Sequence, residues 1–123
     1  GWYQVLDRSG DDGNYIETSC TAMFAYSIFK GVRMGYLDPE YLATAEKAYR
    51  GLLDNFIVTG PDGLVSMKNI CGVAGLGGDP YRDGTFEYYV GEVIRENDPK
   101  GVGPFIMASL EYESGNRGPS VKK

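Results

Sequence analysis

Residues 17–34, ETSCTAMFAYSIFKGVRM, carry apolar side chains on nearly every face of a helical wheel. A helix that is apolar all round must be buried all round, so the segment predicts a helix enclosed by other protein. Its cations, Lys30 and Arg33, fall in the last turn, where positive charge interacts favourably with the helix dipole. The pattern therefore predicts a buried helix that ends near Met34.

A second helix is predicted from Asp38-Pro39-Glu40, which combines an N-cap candidate, a proline at the first helical position and an early acid. The apolar residues that follow have helical spacing and are Tyr41, Leu42, Ala45, Tyr49, Leu52, Leu53 and Phe56. Charged residues occupy the opposite side of the wheel, so this helix is predicted to have one face in water.

The segments around these two helices are shorter and richer in turn residues. Residues 1–7 form a brief apolar run, which predicts a strand or extended segment, and residues 8–14 predict a loop. The turn GPDG at residues 60–63 ends the second helix, and Leu64-Val65 is a candidate strand. A long glycine-rich loop follows over residues 70–78.

The C-terminal third contains a segment of ambiguous pattern and a third helix. Residues 85–94, TFEYYVGEVI, fit a strand about as well as a short helix. Pro104 is expected to open the third helix, PFIMASLEYE, which is again nearly all apolar until Glu111. Residues 114–123 are predicted to be a flexible tail.

Two fully apolar helices and one half-polar helix are typical of concentric layers, in which an inner helix contacts neighbours on every side. Three helices cannot enclose two apolar ones. Each large apolar side chain left in water forfeits about 2 kcal/mol. The side chains concerned are Met23, Phe24, Ile28, Phe29, Phe105, Ile106 and Leu110. We therefore expect further protein to cover them, in cis or by self-association.

Composition excludes several classes of function. The formal net charge of -5 argues against a nucleic-acid partner. Histidine is absent, which removes Ser-His-Asp and Cys-His catalysis and imidazole metal sites. Cys20 and Cys71 have no metal-ligand spacing and are read as reduced, buried thiols. No apolar run approaches the ~20 residues of a membrane-spanning helix. The chain opens at Gly1 with apolar residues at once, which we interpret as a cut end.

Seven strings in one order carry a family resemblance. They are GWYQVLD, GNYIETSCTAMFAYSIFKGVRMGYL, KAYRGLL, DGLV, CGVAGLGG, RDGTFEYY and ENDPKGVGPFIMASLEYE. Together they resemble the unsaturated rhamnogalacturonyl hydrolases, relatives of the unsaturated glucuronyl hydrolases. The likeness covers residues 1–113, which we take as the C-terminal segment of such a domain.

The resemblance implies an all-α fold, the last third of an (α/α)6 barrel of six helical hairpins, with short strands and the long glycine-rich loop. It also implies a glycosidase that removes 4,5-unsaturated galacturonic acid from pectin-derived rhamnogalacturonan oligosaccharides. In that family an aspartate protonates the vinyl-ether double bond, water adds, and the hemiketal collapses. No metal or organic cofactor is implied. Localisation is unknown, with cytoplasm or periplasm implied by the family.

The family's catalytic aspartate lies in a motif like DGLYM or DDLFM, upstream of the segment that resembles Gly1. Asp62-Gly63-Leu64-Val65 looks similar but falls in a connector after the second helix. No catalytic residue is therefore assigned, and the isolated chain is expected to be inactive.

Candidate substrate-binding residues come from four places: Trp2, Tyr3 and Gln4; Glu17 and Ser19; Arg82 and Glu87; and Lys100, Gly101 and Gly103. Aromatic rings complement sugar faces, and arginine binds a carboxylate with two parallel hydrogen bonds. Main-chain amides at a helix start suit an anionic or hydroxylated ligand.

Each candidate also has a structural interpretation. Trp2 fits a core position, and Thr18 or Ser19 fits an ordinary helix cap. Arg82 fits an internal salt bridge, and the segment before Pro104 fits a plain capping loop. At the level of the whole chain, the alternatives are a non-catalytic helical interaction module and a sugar-binding module.

Overall fold

The computed structural model describes residues 1–116. The elements in chain order are β1 (Trp2–Tyr3), β2 (Ile16–Glu17), α1 (Thr18–Arg33), a 3-10 turn (Pro39–Tyr41), α2 (Leu42–Asn55), β3 (Ile57–Thr59), β4 (Val65–Met67), β5 (Ile70–Cys71), α3 (Phe86–Gly91), β6 (Ile94–Arg95) and α4 (Pro99–Asn116). The described part is therefore mostly helical, and its strands are short.

Helix α1 occupies nearly the span that its apolar pattern predicts. Lys30 and Arg33 lie in its last turn. Gly35, at φ +74°, follows the C-cap, and the amides of Tyr36 and Leu37 both donate to the Gly31 carbonyl. A left-handed residue just past a helix end is the usual way to turn the chain and satisfy the last carbonyls.

Helix α2 confirms the start signal at Asp38. The Asp38 side chain accepts a hydrogen bond from the Glu40 amide at 3.0 Å, and Pro39 begins a 3-10 turn that continues into α2. Ala45, Ala48, Tyr49 and Leu52 form the buried stripe, with polar residues on the opposite face. The predicted half-exposed helix is therefore observed.

Helix α4 begins five residues earlier than we predicted, at Pro99 and not at Pro104. Asp98 accepts a hydrogen bond from the Lys100 amide at 3.0 Å, so Asp98-Pro99 repeats the start signal of Asp38-Pro39. Pro104 lies inside the helix, where it removes one backbone donor and its ring crowds the carbonyl four residues earlier. The helix continues to Asn116, and residues 117–123 of the predicted tail lie outside the described part.

Helix α1 packs against both α2 and α4 through small side chains. Ala22, Ala25, Ala45 and Ala108 are fully buried, which lets the helices approach closely. An aromatic cluster continues this core: the Tyr49 ring stacks on Phe105 with centroids 5.7 Å apart and lies 4.8 Å from the ring of Tyr112. The core therefore sits between the three long helices.

Within residues 1–116, α1 and α4 are not buried all round. Phe29 is buried, but Phe24 is 40% exposed and Ile106 is 54% exposed. Met23 and Leu110 are exposed as well. The reason is geometric, because α2 covers one side of α1 and nothing in the described residues covers the outer sides of α1 and α4. We call the face formed by Met23, Phe24, Ile106 and Leu110 the apolar face.

Three antiparallel strand pairs connect the helices. β1 pairs with β2, β3 with β4, and β5 with β6. Residues 60–63 form a turn, as predicted, but the turn joins β3 to β4 and does not end α2, which stops at Asn55. Asp62 caps the turn by accepting from the Leu64 amide at 3.0 Å. The ambiguous segment after the glycine-rich loop contains both predicted structures, since α3 is followed by β6.

An ion pair joins the last turn of α1 to α4. Arg33 donates to both oxygens of Glu111, with Nε to Oε2 at 2.6 Å and Nη2 to Oε1 at 2.8 Å. These hydrogen bonds hold the pKa of Glu111 below its ordinary value. A carboxylate whose pKa is lower in the folded state stabilises the fold above its unfolded pKa, and the contribution is lost as the pH falls through the folded pKa.

We therefore expect Glu111→Gln to lower the urea midpoint of the chain at neutral pH. The deficit relative to wild type should shrink as the pH falls below the ordinary glutamate value, because wild type then loses the ion pair too. Glu40→Gln, at an exposed carboxylate in the turn before α2, is the control with no comparable deficit. A Glu111→Gln deficit that stays constant into acid would contradict the assignment.

Candidate functional site

The start of α1 is held by Glu17, whose side chain is 3% exposed. Oε1 accepts from the backbone amide of Cys71 at 2.9 Å and from that of Ser19 at 3.2 Å. Oε2 accepts from the Cys20 amide at 2.6 Å. The Ser19 hydroxyl lies 2.8 and 2.9 Å from the two carboxylate oxygens and donates to this group. Glu17 is therefore the helix cap, and protein donors occupy its oxygens.

This arrangement corrects the prediction that Thr18 or Ser19 caps the helix. Thr18 instead joins α1 to the segment after β4, with its amide donating to the Asn69 carbonyl at 3.1 Å and its hydroxyl to the Lys68 carbonyl at 2.7 Å. Ser19 donates to the cap and does not supply it. A carboxylate saturated in this way has no free oxygen with which to protonate a substrate.

The segments before β2 and after β1 bring polar groups beside Glu17. The Gln4 side-chain amide donates to the Cys71 sulfur at 3.4 Å, and the Tyr15 hydroxyl is buried close to the same thiol. Burial, with Cys71 and Glu17 nearby, holds the pKa of Tyr15 well above its ordinary range. We call Gln4, Tyr15, Glu17, Ser19 and Cys71 the cap cluster.

Tyr15 and Cys71 were not among the predicted site residues. Tyr15 and Glu17 stand two positions apart, and in an extended strand that spacing points side chains to one face. This signal was present in the sequence. The approach of Cys71 depends on the path of the chain between α2 and α4, which has no local signal.

The two cysteines are free thiols, as expected, with Cys71 buried and Cys20 partly buried. Burial, reinforced by the Glu17 carboxylate, raises the pKa of the Cys20 thiol to about 12. Cys20 is therefore protonated at neutral pH and is not poised as a nucleophile, since the thiolate is the reactive species.

The Trp2 ring is neither fully exposed for stacking on a sugar nor fully buried in the core. It is partly buried, its ring meets Phe24 edge to face with centroids 5.1 Å apart, and its amide donates to the Thr21 hydroxyl at 2.9 Å. Trp2, Phe24, Leu6 and Ile28 line a shallow apolar depression. Tyr3 pairs with Ile16 in the strand ladder.

Lys100, Gly101 and Gly103 lie within the first turns of α4 and not in a loop before it. The amides of Lys100 and Gly101 both donate to Asp98, so they are not free to bind an anion. The Lys100 ammonium lies 3.0 Å from Asp98 Oδ1 and donates to the Gly72 carbonyl at 2.9 Å. Lys100 therefore joins α4 to the residue that follows the cap cluster.

Arg82 and Glu87 differ in their burial and in their contacts. Arg82 is partly buried just after the glycine-rich loop and donates through Nε to the Gly77 carbonyl at 2.8 Å. It makes no salt bridge within residues 1–116, so the expected internal ion pair is not observed. Glu87 is exposed in the first turn of α3.

The structure thus brings Gln4, Glu17 and Ser19 into one cluster, with Lys100 tied to its edge, and leaves Arg82 in a separate loop. Across residues 1–116 no set of three or more histidine, cysteine, aspartate or glutamate side chains could hold a metal ion. No helix in the same range is long and apolar enough to cross a membrane.

Two bacterial proteins are similar to this chain: Protein Atu3128 of Agrobacterium fabrum and the 24.9 kDa protein in the picA locus of Rhizobium radiobacter. Each is 43% identical over 116 residues. The alignments cover 89% of this chain and 50% of each relative. The chain therefore spans about half the length of these relatives.

Solved structures extend the likeness to the fold. A Family 105 glycoside hydrolase from C. acetobutylicum ATCC 824 is 52% identical with a TM-score of 0.88, over 92% of this chain and 31% of that one. A possible GH105 member from Klebsiella pneumoniae is 30% identical with a TM-score of 0.72, over 94% of this chain and 26% of that one.

The family model described as Glycosyl Hydrolase Family 88 matches residues 1–115, which is nearly the whole of this chain. Together with the structural likeness to Family 105, this match decides the family. The chain belongs to Glycosyl Hydrolase Family 88.

Proposed function

We propose that this chain forms one wall of the substrate pocket of a glycosidase that removes 4,5-unsaturated galacturonic acid from rhamnogalacturonan oligosaccharides. The catalytic acid comes from protein outside these residues. The family match over residues 1–115 carries the proposal, and the resemblance of ENDPKGVGPF and RDGTFEYY to the rhamnogalacturonyl members supplies the substrate class. The reaction needs no metal or organic cofactor.

The cap cluster supports a chain that contacts the substrate while other protein supplies the catalytic acid. Glu17 is the one buried carboxylate of the cluster, and protein donors occupy both of its oxygens. Gln4, the Lys100 ammonium and the ring of Trp2 are groups that bind sugars without donating the catalytic proton. The apolar face on α1 and α4 offers the surface on which the remaining helices of a barrel would pack.

The test is an exchange of segments with the C. acetobutylicum relative, whose matching third is 52% identical. The chimaera carries this chain in place of that third, and the loss of ultraviolet absorbance from the conjugated double bond of unsaturated rhamnogalacturonan disaccharide is followed. We expect no loss with the isolated chain and a steady loss with the chimaera. The intact relative is the control.

Two outcomes would contradict the proposal. Turnover by the isolated chain would place a catalytic acid within these residues. A chimaera that folds as the relative does, yet leaves the disaccharide unchanged while the intact relative consumes it, would show that this wall does not fit the substrate.

A second candidate, a non-catalytic helical interaction module, is favoured by the apolar face alone. Phe24 and Ile106 are each at least 40% exposed, and a face of this kind is typical of an interface. Light scattering after size-exclusion chromatography separates the candidates. A stable oligomer of the chain alone, together with an inactive chimaera, would favour the module.

A further inference from the structure

A cavity that is separate from the cap cluster lies where the glycine-rich loop meets the segment that follows it. Its lining residues are Val73, Asp79, Pro80, Tyr81, Arg82, Tyr88 and Glu92. One cation, two carboxylates and two phenol rings surround one opening. We call it the loop cavity.

The loop cavity has a volume of about 460 Å³. This is enough for a single sugar residue, because ligand pockets begin at roughly 300 Å³.

The glycines of the loop make room for the Arg82 guanidinium. A Cβ placed on Gly75 would lie 2.4 Å from Nη1 of Arg82, and one placed on Gly78 would lie 2.8 Å from Nη2. Gly77 and Arg82 also bridge as an antiparallel pair, with the Gly77 amide donating to the Arg82 carbonyl at 2.8 Å. The backbone is therefore folded closely around this one side chain.

The terminal nitrogens of Arg82 have no protein acceptor among the described residues. Only Nε donates, to the Gly77 carbonyl at 2.8 Å, and no salt bridge involves the side chain. Arginine presents its terminal N–H groups as a planar fork that matches a carboxylate. A guanidinium held in place with this fork unpaired, at the wall of a cavity, suits an anionic ligand.

The other lining residues suit a ligand with hydroxyl groups. The Tyr88 hydroxyl accepts from the Gly75 amide at 3.1 Å and interacts with the Glu92 carboxylate, which fixes one wall. Asp79 and Glu92 are acceptors for hydroxyl protons. The Tyr81 ring is 77% exposed at the rim, where an aromatic ring complements the apolar face of a pyranose.

We propose that the loop cavity is a binding subsite for a uronate residue of an oligosaccharide, with its carboxylate on Arg82 and its hydroxyls on Asp79 and Glu92. A sugar acid is the ligand class that carries both a carboxylate and several hydroxyl donors. The proposal rests on the proposed function for its substrate class and adds a second point of contact, through which the enzyme selects acidic oligosaccharides.

The experiment measures binding and not turnover, so that it stands apart from the test of the proposed function. Saturated digalacturonate, which has no double bond to hydrate, is titrated into the chain by calorimetry, with a neutral galactose disaccharide as the matched ligand. We expect saturable binding of digalacturonate and at least about tenfold weaker binding of the neutral sugar, since the neutral sugar cannot form the charge-assisted hydrogen bonds with the guanidinium.

Three variants locate the binding. Gly75→Ala keeps every lining side chain and displaces the guanidinium, Arg82→Gln removes the charge, and Tyr81→Ala removes the exposed ring without touching the loop interior. Each is expected to weaken digalacturonate binding, by about tenfold for Arg82→Gln. Arg50→Gln, an arginine outside the loop, is the control and should bind as wild type does.

Circular dichroism and thermal unfolding show whether each variant folds. Equal affinity for the neutral and acidic disaccharides, or unchanged binding in folded Gly75→Ala and Tyr81→Ala, would overturn the subsite. If digalacturonate binds as expected while the chimaera is inactive, the subsite stands and the proposed reaction fails. If the chimaera is active but digalacturonate does not bind, the reaction stands and the subsite fails.

Discussion

Glu17→Ala is expected to lower the free energy of unfolding by about 3 kcal/mol or more. The substitution removes the cap of α1 and leaves the backbone amides of Ser19, Cys20 and Cys71 without their acceptor. Each buried donor left unsatisfied costs about 1–3 kcal/mol. A loss of this size is a large fraction of a domain's stability, so the variant is expected to be partly unfolded at room temperature.

Urea unfolding followed by circular dichroism measures this loss. The matched control is Asp38→Ala, which also removes a helix-start carboxylate but at an exposed position with one hydrogen bond. Its expected cost is about 1 kcal/mol. Equal losses in the two variants would show that the contacts of Glu17 to Ser19 and Cys71 add nothing to an ordinary cap.

The pair Gly101→Ala and Gly103→Ala is expected to change stability in opposite directions. Both glycines lie in α4, and alanine favours a helix by about 1 kcal/mol over glycine. At Gly101 a Cβ would lie 2.7 Å from Cδ1 of Ile70, a fully buried side chain, whereas at Gly103 nothing lies within 4 Å. Overpacking of a core costs about 1–3 kcal/mol, so Gly101→Ala should be destabilising.

Thermal unfolding of the two variants and of wild type tests this prediction. We expect Gly103→Ala to raise the melting temperature and Gly101→Ala to lower it by several degrees. A higher melting temperature in both variants would mean that Ile70 moves aside at little cost and that α4 and β5 are loosely packed.

The long helices could be predicted because their signals are local. Apolar spacing placed α1 and α2 within a few residues, and the aspartate-proline pair at residue 38 marked a helix start. The same aspartate-proline pair at residue 98 marks the start of α4. We predicted the start at Pro104 because apolar residues follow it at once. Proline is tolerated inside a helix when neighbouring contacts compensate, so its position alone did not decide the start.

The cap cluster was predicted only in part. Glu17 was predicted as a pocket residue, whereas its side chain caps α1 through the amides of Ser19 and Cys20 and also accepts from the Cys71 amide, which comes from far along the chain. Glutamate is not among the preferred N-cap residues, so helix rules pointed to Thr18 or Ser19. The apolar residues of α1 and α4 predict helices that need neighbours on every side, and the three long helices of residues 1–116 cover them only in part.

The hydrogen bonds that complete the first turn of α1 have a consequence for the order of events during synthesis. Glu17 meets the Cys71 amide across 54 positions of sequence, and Thr18 meets the Lys68 carbonyl across 50. Closing a loop of that length costs entropy before any contact is made. On the ribosome, α1 and its local cap can therefore form as soon as they emerge, but the long-range hydrogen bonds of Glu17 and Thr18 form only after the segment that ends at Cys71 has left the exit tunnel.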